Sequence, residues 1–274
     1  MMKKAFTTLG NPEWSFDKTL AEAKRLGFDA IDIRGIDGKM RAEEIEIFGY
    51  GKLMETRRKV QEAGLKICCF GTSASFHDES KWEAALAETK AAIDLCVAMG
   101  IPYVRVFGND VPDNCTPEEE AAVLATIARG VQIACDYAKG TAVKVLLEIH
   151  GTINTIERAQ TIAMQVRGEN FGILWDVAHS DKIYKDEFEK FYRAIRPWVC
   201  HIHLKDHIRI DTKATKLVPT GEGEIPLVAI VKMLLDDGYD GYFALEWEKK
   251  WHSDLPEPEE EYPRFIEWAN KNFG

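Results

Sequence analysis

Short apolar, β-rich runs alternate with amphipathic helical segments along the whole 274-residue chain, and this alternation narrows the fold more than any other feature. The runs are AFTTLG (5–10), AIDIRG (30–35), KICCFGTS (66–73), YVRVFG (103–108), KVLLEIHG (144–151), FGILWDVAH (171–179), CHIHLKD (200–206) and YFALEWE (242–248). Segments such as SFDKTLAEAKRLGF and WEAALAETKAAIDLCVAMG, which lie between them, carry helical periodicity. Glycines stand just before several strands, in RLGFDAIDI, EAGLKICCF, AMGIPYVRV and DDGYDGYFAL. There a left-handed cap turns the chain back toward the sheet. Parallel strands need crossover helices, and eight such units in about 250 residues match a closed (β/α)8 barrel. A doubly wound sheet would place GxGxxG after an early strand, whereas the first strand here runs into LGNPEW. The expectation is an α/β fold, one (β/α)8 barrel domain over residues 1–274.

Bulk properties exclude some functions. A formal net charge of -10 disfavours a nucleic-acid partner, because a phosphate backbone recruits a basic surface. No apolar run reaches the roughly 18 residues of a spanning helix, so no membrane partner is expected. MMKKAFTTLGNPEW lacks the apolar core of a signal peptide. Six cysteines without CxxC spacing read as reduced thiols, which fits a cytoplasmic protein. The expected partner is a small molecule, and a homo-oligomer is left open.

Barrel chemistry sits at the carboxyl ends of the strands. The last four strands end in Glu148 and His150; Asp176 and His179; His201, His203, Lys205 and Asp206; and Glu246 and Glu248. The first four offer less, namely Arg34, His77, Arg105 and Asn109. One strand-end carboxylate is usually a helix cap, and one histidine is usually scaffolding. Glu, Asp, His and Glu ending four consecutive strands after apolar neighbours are harder to explain that way. Unpaired buried carboxylates would repel one another, and a bound divalent cation removes the conflict. Three oxygens and an imidazole suit manganese, magnesium or cobalt, or zinc in an open catalytic geometry.

The series LLEIHG, LWDVAH, HIHLKD, TGEGEIP and ALEWE resembles the xylose isomerase-like TIM barrel superfamily, and within it the sugar phosphate isomerase/epimerase group, with endonuclease IV-type AP endonucleases as relatives. The resemblance implies one divalent metal ion held by Glu148, Asp176, His203 and Glu246, with His179 of the DxxH motif contacting substrate. It also implies that Glu148 and Glu246 exchange a proton with a carbon beside a carbonyl from opposite faces. Strand alternation sets His201, His203 and Lys205 on the barrel side, with His203 at the level of the other ligands. His201 is then an inner packing or hydrogen-bonding residue and His207 a loop residue.

Further substrate-binding candidates are Lys205, His150, Arg34 and Trp14. Lys205 would serve as an oxyanion or phosphate contact, or else as an ion-pair partner. Trp14 would either stack on a sugar or pack beneath a helix. The expected activity is metal-dependent isomerisation or epimerisation of a ketose, keto-sugar or sugar phosphate through an enediolate. A lyase or dehydratase acting on a keto-inositol or 3-keto-glycoside shares the first step and is the main alternative. An AP endonuclease would need further histidines from early strands, and a non-catalytic sugar-binding protein would show degraded ligands.

Overall fold

The computed structural model describes residues 1–211 and 214–274. Its strands are β1 (Lys3–Thr7), β2 (Ala30–Ile33), β3 (Lys66–Ser75), β4 (Tyr103–Phe107), β5 (Lys144–Glu148), β6 (Phe171–Asp176), β7 (Val199–Leu204), β8 (Asp206–Arg209), β9 (Thr215–Val218) and β10 (Tyr242–Leu245). Eight of them close a parallel barrel in the order β1-β10-β7-β6-β5-β4-β3-β2, as the alternation predicts. The helices are α1 (Phe16–Leu26), α2 (Leu53–Ala63), α3 (Trp82–Met99), α4 (Pro117–Ala138), α5 (Ile156–Gln165), α6 (Val177–Tyr184), α7 (Phe188–Ile195), α8 (Leu227–Asp236) and α9 (Pro258–Phe273). Left-handed glycines Gly27, Gly64 and Gly100 cap α1, α2 and α3.

Large side chains on the outer strand faces, among them Phe6, Ile31, Phe70, Trp175 and Phe243, pack against the helices. Inside, Ala5, Ala30, Cys68 and Ala244 form a separate cluster of small residues. In the β6–β7 and β7–β10 pairings, Asp176 lies opposite His203, and His203 lies opposite Ala244. Paired residues of parallel strands point the same way, so Asp176, His203 and Ala244 all face the barrel interior. The small Ala244 leaves room for the imidazole.

The segment after β7 departs from the sequence reading. His207 is not in a loop; it belongs to the antiparallel hairpin β8–β9 and is buried. Two carboxylates fasten this hairpin. Asp206 accepts hydrogen bonds from the backbone N–H groups of His207, Gly221, Gly223 and Ile225 at 2.9–3.3 Å. Asp181, on α6, accepts from Arg209 at 2.5 Å and meets His207 Nε2 at 3.0 Å. HLKD and TGEGEIP are therefore two halves of one device, a carboxylate and the backbone it grips. A Cβ at Gly223 would overlap the Asp206 carboxylate and come within 2.7 Å of the His207 carbonyl oxygen. Gly223→Ala is expected to destabilise the protein by about 1–3 kcal/mol, the usual range for overpacking, as a denaturant titration would show.

Candidate metal centre

Glu148, Asp176, His203 and Glu246 each present one ligand-capable atom, and these atoms lie within 4.8 Å of one another. All four side chains are buried. Asp176 serves two purposes: Oδ1 caps α6 by accepting from Ala178 N at 2.9 Å, while Oδ2 turns into the cluster. The bland reading of a strand-end aspartate and the functional one thus apply to different oxygens of one residue.

Three of the converging atoms, Glu148 Oε2, Asp176 Oδ2 and His203 Nδ1, are buried and make no aligned hydrogen bond. His203 Nδ1 is 3.2 Å from Glu246 Oε1. Glu148 Oε2 stands 2.9 Å from Arg105 Nε and Asp176 Oδ2 2.7 Å from Lys205 Nζ, but without aligned hydrogen bonds these oxygens keep lone pairs that a shared divalent cation would use. Hard carboxylate oxygens with one imidazole are a donor set that fits a divalent ion. Asp32, Cys69 and His201 form a second such group. There, however, Asp32 Oδ2 is already taken by two imidazoles, and burial pushes the Cys69 thiol well above its usual pKa.

Burial raises the Glu148 carboxyl to about 7 against the opposing pull of Arg105. Asp176 is likewise raised to about 6 by burial, with Lys205 opposing. At Glu246 burial works in the same direction, but Lys205 and His203 outweigh it and hold the group well below the carboxylate range. Lys205 lies 2.7 Å from Asp176 Oδ2, 2.7 Å from Glu246 Oε2 and 2.5 Å from Glu248 Oε1. Burial disfavours its charge, but these three carboxylates keep it firmly protonated.

Two contributors come from the half of the barrel that the sequence reading discounted. Asp32 on β2 meets His201 Nε2 and His203 Nε2, both at 2.9 Å. A carboxylate accepting from Nε2–H fixes the tautomer of His203 and leaves Nδ1 free toward the cluster. Arg105 on β4 pairs through Nε with Glu148 Oε2 at 2.9 Å, donates to Thr72 O at 2.8 Å and stacks 4.0 Å over Phe107. Its guanidinium and the Arg34 side chain both cross Gly71, where a Cβ would stand 2.8 Å from Arg105 Nη2 and 2.9 Å from Arg34 Cδ. Sequence does carry a signal for Asp32 and Arg105. Each is a charge at an inward position in the middle of an apolar strand.

Asp32→Asn is expected to weaken divalent-ion binding by about 10- to 100-fold, the usual cost of losing a carboxylate behind a metal-bound histidine. Calorimetric titration with manganese checks this.

Beside the cluster opens a cavity of about 360 Å³, with His150, His179, Lys205, His207, Glu248 and His252 in its wall. The His179 ring is 4.2 Å from that of His150, and its Nε2 is 3.6 Å from Asp176 Oδ2. His150 Nδ1 meets Asn109 Oδ1 at 3.0 Å, and Asn109 has the left-handed φ of 55° that asparagine tolerates. Burial, with Lys205 nearby, depresses His150 to about 3 and His179 well below its usual value, so both rings are neutral.

The other two substrate candidates lie apart from this wall. Trp14 is buried, edge-on to Tyr262 and bonded through Nε1 to Glu259 at 3.2 Å. Arg34 is buried, donates to Ser73 Oγ at 3.1 Å and lines a separate crevice with Thr8 and Lys250. Trp247 packs in the core, whereas Trp251 is exposed.

A family profile described as "Xylose isomerase-like TIM barrel" matches residues 20–272. The chain is 20% identical to fructoselysine 3-epimerase of Shigella flexneri over 258 residues, covering 89% of this chain and 90% of that one. It is 23% identical over 282 residues to the 3'-dehydrocarminate deglycosidase alpha subunit of a Microbacterium species, covering 76% and 79%. The solved structure of an IOLI protein with a bound zinc atom superposes with a TM-score of 0.79 at 20% identity, over all of both chains. Among the described residues, no helix is long and apolar enough to cross a membrane.

Proposed function

Because the chain belongs to the xylose isomerase-like TIM barrel family, we propose that it is a divalent-metal-dependent isomerase or epimerase of a ketose, keto-sugar or sugar phosphate. The observation that carries this reading is the convergence of four buried, ligand-capable atoms within 4.8 Å beside a cavity of about 360 Å³. Glu148, Asp176, His203 and Glu246 would hold a manganese, magnesium, cobalt or zinc ion. When bound, the ion supplies Lewis-acid stabilisation of the negative charge that develops as a proton leaves the carbon beside a carbonyl.

Glu148 on β5 and Glu246 beyond β10 are separated in the barrel wall by β6 and β7, so they approach the cluster from different sides. Such a pair can remove a proton from one face of a planar enediolate and return one to the other. Lys205 borders the cavity and balances the charge of Asp176, Glu246 and Glu248 beside it. The neutral His150 and His179 rings supply hydrogen bonds to substrate hydroxyls, and His179 lies nearest the cluster.

The deglycosidase relative favours one second reading, a lyase that abstracts the same proton and then expels a β-substituent from a 3-keto-glycoside. The DNA-repair alternative gains no support from His77, whose ring is bonded to Ser75 Oγ at 2.8 Å and stands outside the metal group. The deciding experiment incubates metal-loaded protein with ketoses, ketose phosphates, keto-inositols and 3-keto-glycosides and identifies the products by NMR. An isomeric sugar is the expected product. Release of water or an aglycone would establish the lyase instead, and no change in any member would count against both.

A further inference from the structure

We infer that the substrate of this cavity carries an acidic group, a carboxylate or a phosphate, gripped at the rim by Lys182 and Lys216. The inference rests on the cavity being the substrate site of the proposed enzyme. Lys182 lies on α6, three residues after His179, and Lys216 lies on β9 of the hairpin. Both are exposed and both line the cavity wall with His150, His179 and His252. Neither has an ion-pair or hydrogen-bond partner among the described residues.

The other charges on the wall are accounted for. Lys205 is committed to Asp176, Glu246 and Glu248. Glu248 takes Lys205 and stands 3.4 Å from His252 Nε2, which leaves Asp254 as the remaining carboxylate of the lining. Among the described residues of the lining, unpaired ammonium groups therefore outnumber unpaired carboxylates, in a chain whose net charge is -10. Such local inversion of sign draws an anion toward a site and orients it there.

Position gives the substrate its direction. The cavity reaches the metal group through Lys205 and through His179, whose Nε2 is 3.6 Å from Asp176 Oδ2. A volume of about 360 Å³ accepts a sugar with one substituent, so a substrate whose carbonyl meets the metal group extends along a wall that includes the two lysines. The hairpin that carries Lys216 is anchored by Asp206 and Asp181, which fixes the base of that wall.

The test titrates metal-loaded protein with inorganic phosphate and, separately, with acetate, following the imidazole resonances of His179 and His252. The anion is expected to shift both, with affinity roughly tenfold weaker in Lys182→Met/Lys216→Met and recovered in the double arginine variant. The stronger of the two anions identifies the acidic group. Absence of a shift, or a shift unchanged in the methionine variant, would overturn the inference and place the anion elsewhere. With turnover substrates, the ratio of kcat/KM for an acidic sugar to that of its neutral counterpart falls roughly tenfold in the same variant. If no sugar of either kind reacts, the proposed reaction fails, while the phosphate titration still decides the role of the rim.

Discussion

Glu246→Gln is expected to lower turnover by roughly 10³-fold, within the range contributed by a positioned acid–base group, and to lower the denaturant midpoint, because Lys205 and His203 hold this carboxylate ionised in the fold. The amide keeps the volume of the side chain and an oxygen toward the cluster but can neither take up the substrate proton nor contribute a full ligand charge. Lys205 retains Asp176 and Glu248, so its ammonium is not stranded in the interior. The corresponding Glu148→Gln change is expected to differ in one respect. Turnover falls comparably, but burial already disfavours the Glu148 charge in spite of Arg105 at 2.9 Å. A carboxyl that the fold already pushes toward its neutral form loses little on becoming an amide, so Glu148→Gln is expected to keep the higher denaturant midpoint of the two. Steady-state rates together with denaturant midpoints separate the two variants. Equal stability with equal loss of rate would contradict the different settings assigned to the glutamates.

Removing the divalent ion is expected to have the second largest effect, abolishing turnover and lowering the thermal midpoint. Glu148, Asp176 and Glu246 then face one another with only Arg105, His203 and Lys205 to balance them. An ion that binds only the folded chain, present at a hundred times its Kd, adds about 2.7 kcal/mol of stability that chelation withdraws.

Acid does the same work as a chelator. With carboxyl pKa values raised to about 7 at Glu148 and about 6 at Asp176, protons compete with the ion as pH falls through that window. Binding is expected to release protons and to weaken by up to roughly tenfold per pH unit for each proton displaced. Isothermal titrations with manganese in buffers of different ionisation enthalpy measure the release. Affinity independent of pH between about 5.5 and 7.5 would show that these carboxylates are not the ligands.

Much of this architecture is legible in the chain because it rests on local rules. Short apolar, β-rich runs alternating with helical segments mark the eight barrel strands, and Gly27, Gly64 and Gly100 turn the chain back where a left-handed cap is needed. The candidate ligands are legible because each is a polar residue at a strand end, and strand ends converge in a barrel.

What escapes is pairwise and distant. Asp32 meets His201 and His203 across 169 and 171 residues, a contact that alternation hints at but cannot assign. The hairpin after Lys205 is unreadable from pattern because polar groups, not apolar alternation, hold it: Asp206 binds backbone N–H groups and Asp181 binds His207 and Arg209. Trp14 illustrates the opposite difficulty. An indole near a barrel mouth suits a sugar face or a core equally well, and its contacts with Glu259 and Tyr262, near the other end of the chain, are invisible to local pattern.

Solvent exchange at the reacting carbon tests the central claim most directly. In deuterated water, metal-loaded protein is expected to place deuterium on the carbon beside the carbonyl of its substrate. That exchange should stop on chelation, return on adding manganese, and be lost in Glu246→Gln. Exchange that persists in the thoroughly chelated protein, or turnover without any deuterium reaching that carbon from solvent while proton transfer to solvent is shown to be fast, would contradict metal-dependent proton abstraction at this site.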